Sequence, residues 1–283
     1  TSCMFGLGQA YVSDVSAPKE LAGNIGVFLG VAAGVSFMIG IPVSAVLTSK
    51  VSPQAPFIAS ACIGAVNALL VSLIPESNPE DLRREVDLAN ANPWGALKML
   101  HANPLTFGLA VSYFLLWFAH TGLQVTWMNF FETQHGWPAS KSGIVLSVFG
   151  IGISVMPKLI LTVLSLPKAI ELCLFVYFCA MVGLGLVKRS DPSVYAILFF
   201  ACMGSTSLPS LLSLLTNQAQ SNQRGAMQGA TETIKTMCTI VAGPLMSAVF
   251  AYWISTSRTS RQPGNVFLFA SCILLVSLTN FRR

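Results

Sequence analysis

Charge is what this sequence has least of. Lys, Arg, Asp and Glu make up 10% of its 283 residues, against about 25% in an ordinary soluble domain. Histidine is scarcer still: 3 residues are too few for a multi-histidine metal site. No GxSxG, HExxH or GxxxxGK(S/T) pattern occurs, so the expectation is no enzyme, no metal and no cofactor. No basic run exceeds the pairs Lys188-Arg189 and Arg282-Arg283, and a net charge of +5 spread this thinly excludes a nucleic-acid surface. The 7 cysteines form no CxxC pair and lie in or beside apolar runs, where they read as small buried hydrophobes. The chain starts at Thr1 without an initiator Met or a charged leader, so the expectation is the remainder of a longer protein with no visible signal peptide.

What the sequence has in quantity is apolar length. Hydrophobic residues make up 53% and the mean hydropathy is +0.67. These values fit an all-α, polytopic helical membrane protein whose partner is the lipid bilayer. Residues 1–13 read as the end of a helix. Complete spans are expected at about Asn24–Leu47, Phe57–Ile74, Leu105–Met128, Ser142–Leu164, Ala169–Val187, Val194–Leu215, Gly225–Trp253 and Val266–Leu278. Gly26, Gly30 and Gly34 line one face of the first, where they permit close helix approach. Between the second and third spans the composition changes. Residues 76–104 hold five of the 11 acidic residues and read as a solvated linker with a surface helix around Trp94–Leu100. The division expected is 1–75, a linker at 76–104, and 105–283. A cytoplasmic linker places Lys19, Arg83, Arg84, Lys98, Lys168, Arg224, Arg282 and Arg283 inside, and six basic residues outside, in agreement with the positive-inside rule.

Glu232 and Lys235 stand inside the span that starts at Gly225, three residues apart on one helical face. A charge at bilayer depth costs about 2.5–3.5 kcal/mol on insertion scales, so such residues face a protein interior or a wet cavity. Lys235 is the first candidate for holding an anionic substrate group, and Glu232 for its counter-charge or a proton carrier; a pair that snorkels to water or glues two helices is the competing reading. His120 and Gln124, four apart, share a face and are candidates for a proton step or for interhelical hydrogen bonding. Ser207, with Ser205 and Thr206, precedes Pro209; these hydroxyls either satisfy carbonyls freed by the proline or line a cavity. Trp117, Trp127 and Trp137 read as packing or interfacial anchors.

The motifs GQAYVSDVSAPKELAGNIG (Gly8–Gly26, containing Asp14), SPQAPF (Ser52–Phe57), PES (Pro75–Ser77), NPWGALK (Asn92–Lys98), QRGAMQG (Gln223–Gly229) and Gly243-Pro244 follow one another in an order and spacing that resembles the major facilitator superfamily. The likeness is greatest to the branch with the tetracycline exporters and the hippocampus-abundant-transcript-like proteins. It implies two six-helix bundles about a cavity open alternately to either side, with this chain starting late in the fourth helix. It further implies structural roles for Asp14, Gly40, Pro42, Gly225, Gln228, Gly229, Gly243 and Pro244, and a basic residue at Lys235 in the hippocampus-type relatives. The exporter signature of the fifth helix departs here to Gly40-Ile41-Pro42, followed by Ser44 and Ala45. The turn SLPKAIEL lacks the family's basic, Gly-containing loop. The function so implied is secondary active transport of a small organic solute by alternating access, with H+ as candidate coupling ion. Sugar, folate-like anion and amphipathic drug are left open as substrates, and so is the oligomeric state. The alternative is a truncated or degenerate, non-transporting facilitator.

Overall fold

The computed structural model describes residues 2–17, 19–75, 98, 100, 101, 103–188, 191–219, 223–255 and 262–282. Among these, every regular element is helical. The α-helices are α1 (Ser2–Val15), α2 (Leu21–Val35), α3 (Ile41–Lys50), α4 (Ala55–Val71), α5 (Pro104–Phe130), α6 (Ala139–Val163), α7 (Leu166–Leu186), α8 (Asp191–Ser205), α9 (Ser207–Asn217), α10 (Arg224–Ser255) and α11 (Asn265–Phe281). A π turn, Ser36–Gly40, joins α2 to α3, and Thr206 alone separates α8 from α9. The described residues therefore form nine rods, matching one partial and eight further spans in order. Residues 76–97 of the expected linker, with the start of its surface helix, lie outside the described residues.

Five of these rods are long and apolar enough to cross a membrane: Pro104–His135, Lys141–Val163, Leu166–Leu186, Asp191–Asn217 and Arg224–Ser255. α4 and α11 are apolar but have 17 residues each, and the rod from Leu21 to Lys50 is interrupted by its π turn. The interruptions follow from proline. Pro42 has no N–H for the carbonyl four residues back, and the widened turn immediately precedes α3, whose first turn holds that proline. Pro209 likewise has no N–H for the Ser205 carbonyl, and the span expected at Val194–Leu215 breaks at Thr206. Pro157 and Pro244 lie inside helices that continue past them.

Packing places α5 centrally, against α10 and α11, while α7 packs against α8 and α11. A polar lock ties α5 to α11: Ser277 Oγ donates to the Ser112 carbonyl at 3.0 Å, and Asn280 Nδ2 donates to the Gly108 carbonyl and Ser112 Oγ, both at 2.8 Å. The first part of the chain joins the rest through α2 along α6 and α9, and through α1 against α10. Glycine makes that approach possible. A Cβ on Gly26 would fall 2.6 Å from Pro157 Cγ, so the backbone of α2 seats directly on the proline ring. Ser13, Gly26, Pro157 and Arg224 mark one end of the bundle, the end that the sequence reading assigns to the cytoplasm.

The opposite end is clamped by aromatic rings. Gly136, at φ 67°, turns the chain after the π turn Phe131–His135, a left-handed conformation that favours glycine. Trp137 follows, buried and stacked on Phe131 at 4.7 Å and 12°. Its Nε1 donates to Asp191 Oδ1 at 2.9 Å, while Lys141 Nζ donates to Asp191 Oδ2 at 2.5 Å. The α5–α6 turn is thereby fastened to the start of α8.

Candidate functional site

Two helices carry the site, and their apolar faces bring it together. α5 and α10 pack side by side. Along α5, Tyr113, Trp117, His120 and Gln124 recur at steps of four, three and four, which puts them on one stripe. Glu232 and Lys235 face that stripe from α10. Lys235 Nζ lies 3.4 Å from both Glu232 carboxylate oxygens, a long, shared contact. The same ammonium stands 4.8 Å from the centroid of the Trp117 ring, within reach of the indole quadrupole. The side chains of Lys235 and Glu232 retain 21% and 13% of their exposure, so the pair is neither sealed in dry packing nor held out in bulk solvent.

Trp117 passes the arrangement on to His120, whose ring meets it edge to face at 5.4 Å and 86°. His120 is buried. Its Nδ1 is 2.7 Å from the Tyr177 hydroxyl on α7, and its Nε2 is 3.1 Å from Gln124 Nε2. Since an amide nitrogen only donates, Nε2 accepts from Gln124; the proton of a neutral ring then sits on Nδ1 and is donated to the Tyr177 oxygen. Gln124 itself is exposed. Four of the residues expected from sequence, Glu232, Lys235, His120 and Gln124, therefore converge, with Trp117 as the link between the ion pair and the imidazole.

The fifth does not join them. Ser207 is fully buried and its hydroxyl donates to the Gly204 carbonyl at 2.7 Å, as Ser205 donates to Cys202 at 2.7 Å; these hydroxyls serve the backbone around the break at Thr206. The motif residues also separate. Gln228 is buried and donates to Thr216 Oγ1 at 2.8 Å. Gly225, Gly229, Gly243 and Gly40 have open space, among the described residues, where a Cβ would stand. Pro244 is exposed inside α10, Pro42 opens α3, and Asp14 is exposed near the end of α1.

Tyr177 and Trp117 were not singled out as site residues from the sequence. Trp117 carried a signal, its place three residues before His120 on the same face. Tyr177 carried none, because its position depends on how α7 meets α8: a Cβ on Gly204 would fall 2.5 Å from Tyr177 Cα, so glycine there lets α8 press against the tyrosine backbone.

Two cavities lie outside the cluster. One of ≈ 430 Å³ lies farther along α5 and α10, away from the Ser13 end, and is lined by Thr126, Asn129, Glu132, Ser247 and Phe250 among others. The other, ≈ 610 Å³ and largely apolar, lies between α6 and α8 with Lys141, Tyr195 and Cys202 in its wall. Among the described residues, no group of His, Cys, Asp and Glu is placed to hold a metal ion.

With this geometry in view, comparison with known proteins is specific. The family model for the Major Facilitator Superfamily matches residues 1–244. The class C tetracycline resistance protein of Escherichia coli is 23% identical over 278 residues, covering 97% of this chain and 68% of that protein. Hippocampus abundant transcript-like protein 1 of Homo sapiens is 22% identical over 302 residues, covering 98% and 59%. The crystal structure of the human organic anion transporter MFSD10 (TETRAN) has the same fold, with a TM-score of 0.76 at 17% identity over 98% of this chain and 67% of that one. The chain thus spans from 59% to 68% of the length of these relatives. Its fold is that of an integral, multi-pass membrane protein, with all-α architecture and neighbours that are transporters rather than enzymes. On the strength of a family match that begins at residue 1 and runs through α1 to the middle of α10, the chain belongs to the Major Facilitator Superfamily.

Proposed function

We propose that the chain is the membrane core of a secondary active transporter that moves a small organic solute by alternating access, with Lys235 holding an anionic group of the solute. The observation that carries this reading is the half-buried ion pair over Trp117. An ammonium whose carboxylate partner stands at 3.4 Å is weakly committed to it, and an incoming carboxylate or phosphate forms shorter, charge-assisted hydrogen bonds. Trp117, buried beneath that charge, holds the ammonium in position for the anion. Glu232, released from the lysine, becomes a site for a proton, and the buried His120 with its Tyr177 and Gln124 partners is the second. H+ is accordingly the coupling ion proposed. The division into residues 1–75, a linker at 76–104 and a bundle at 105–283 is part of the same reading, with the linker on the cytoplasmic side.

Uptake and efflux in phospholipid vesicles containing the longest form of the protein, with a folate, a sugar and a tetracycline as probes, test it. Lys235→Ala is expected to abolish flux of the anionic probe and Lys235→Arg to retain part of it. Glu232→Gln is expected to keep exchange and lose dependence on a proton gradient. Unchanged flux in both Lys235→Ala and Glu232→Gln removes the site. Absence of flux with every probe in the unmutated protein favours the alternative, a facilitator-like membrane protein that does not transport.

A further inference from the structure

The end of the bundle that closes around Ser13 is built of two unlike contacts. One is dry: Gly26 seats on Pro157, Pro209 lies 3.6 Å from where its Cβ would be, and Leu21 and Ile25 beside it are fully buried. The other is polar and incomplete. Arg224 Nη1 donates to the Ser13 carbonyl at 3.3 Å, joining the end of α1 to the start of α10. One turn deeper stands a glutamine on each helix, Gln9 four residues before Ser13 and Gln228 four residues after Arg224. Because α1 ends where α10 begins, these two steps run the same way into the bundle, about 6 Å each, and bring both glutamines to one level.

Both glutamines are 1% exposed, and in both the side-chain carbonyl oxygen has no donor among the described residues. The Gln228 amide nitrogen is used on Thr216 Oγ1, which itself donates to the Leu212 carbonyl at 2.8 Å. Around this level Ser213 Oγ, Asn217 Oδ1 and Arg224 Nε also lack a partner among the described residues. Buried amide oxygens left this way are costly, and native structures satisfy them with protein or with ordered water. A water needs two to four polar partners, and the Gln9 and Gln228 oxygens with Ser213 Oγ are such groups.

We propose that the α1–α10 seam holds a buried water site, in which water taken up at the level of Gln9 and Gln228 completes the hydrogen bonding between the two helices. The proposal does not depend on the Lys235 site.

The test uses the full chain in phospholipid vesicles and a charged, membrane-impermeant methanethiosulfonate reagent, with mass mapping to read each cysteine separately. Native Cys173, fully buried in α7, is the internal dry reference. In Gln9→Cys, the new thiol is expected to react on the order of tenfold faster than Cys173, since it lies on water rather than in packing. In Gln9→Cys combined with Gln228→Leu, the expected rate falls back toward that of Cys173. A Gln9→Cys thiol as unreactive as Cys173, or one unaffected by Gln228→Leu, overturns the proposal.

Discussion

The ammonium of Lys235 rests 4.8 Å above the indole of Trp117, so a charge on α10 is held by a ring on α5. That contact predicts energetic coupling between the two helices. In a double-mutant cycle of Trp117→Leu and Lys235→Met, followed by denaturant unfolding, the coupling is expected at about 0.5–2 kcal/mol. Simple additivity of the two single substitutions refutes it.

Tyr177 supports the buried His120 through a 2.7 Å hydrogen bond. Tyr177→Phe removes the hydroxyl and little else, and leaves the imidazole Nδ1 without its partner. The expected loss of stability is about 0.6–1.7 kcal/mol, the range for hydrogen bonds between membrane helices. The imidazole nitrogen resonances of His120 are expected to shift in the same variant. Unchanged resonances count against the bond.

Glycines in this chain are not equivalent, and alanine substitution separates them. At Gly204 the added Cβ would meet the Tyr177 backbone at 2.5 Å from Cα and 2.7 Å from N, and neither atom can move without shifting α7. Gly204→Ala is expected to destabilise by about 1–3 kcal/mol. At Gly243 and Gly229 nothing among the described residues lies within 4 Å, so alanine there is expected to be neutral or to stabilise through helix propensity by up to about 1 kcal/mol. Thermal unfolding of the three variants side by side decides the matter, and equal effects at all three sites contradict the packing described.

Asn280 holds α11 to α5 by donating to the Gly108 carbonyl and to Ser112 Oγ. Asn280→Leu is expected to cost about 0.6–1.7 kcal/mol, and Asn280→Gln to recover little, since the longer arm cannot meet both acceptors at 2.8 Å. Hydrogen exchange at the last turn of α11 provides the local readout; protection that survives Asn280→Leu rules out the lock.

Much of the architecture was legible because apolar length leaves few alternatives: a run such as FGLAVSYFLLWFAHTGLQVTW has no other solvent than lipid and protein. The positions of Glu232, Lys235, His120 and Gln124 were legible for the complementary reason, since a titratable or amide group inside such a run is conspicuous. Trp117 was visible but read as an anchor, because nothing in a single helix says that an ammonium from another will lie on the ring. Tyr177 was out of reach, as its partnership arises from the pressing of α8 onto α7 at Gly204. Gln9 was equally silent, an uncharged residue near the start of the chain whose meaning depends on Gln228, 219 positions later. The break at Thr206 was half legible: Pro209 was noted, yet the division into α8 and α9 depends on Ser205 and Ser207 bonding to carbonyls of their own turn.

α4 carries one last implication. None of its residues is buried, and Phe57, Ile58, Ile63, Leu69 and Leu70 are all open to the surroundings, with α3 as the neighbour it packs against. Its 17 residues extend about 26 Å, close to the hydrocarbon depth of a thin bilayer and a few Å short of a thick, sterol-rich one. Membrane thickness therefore bears on this segment: in a thick bilayer the surrounding lipid must compress or the rod must stand more upright, and the depth of the host bilayer becomes one of the determinants of its tilt.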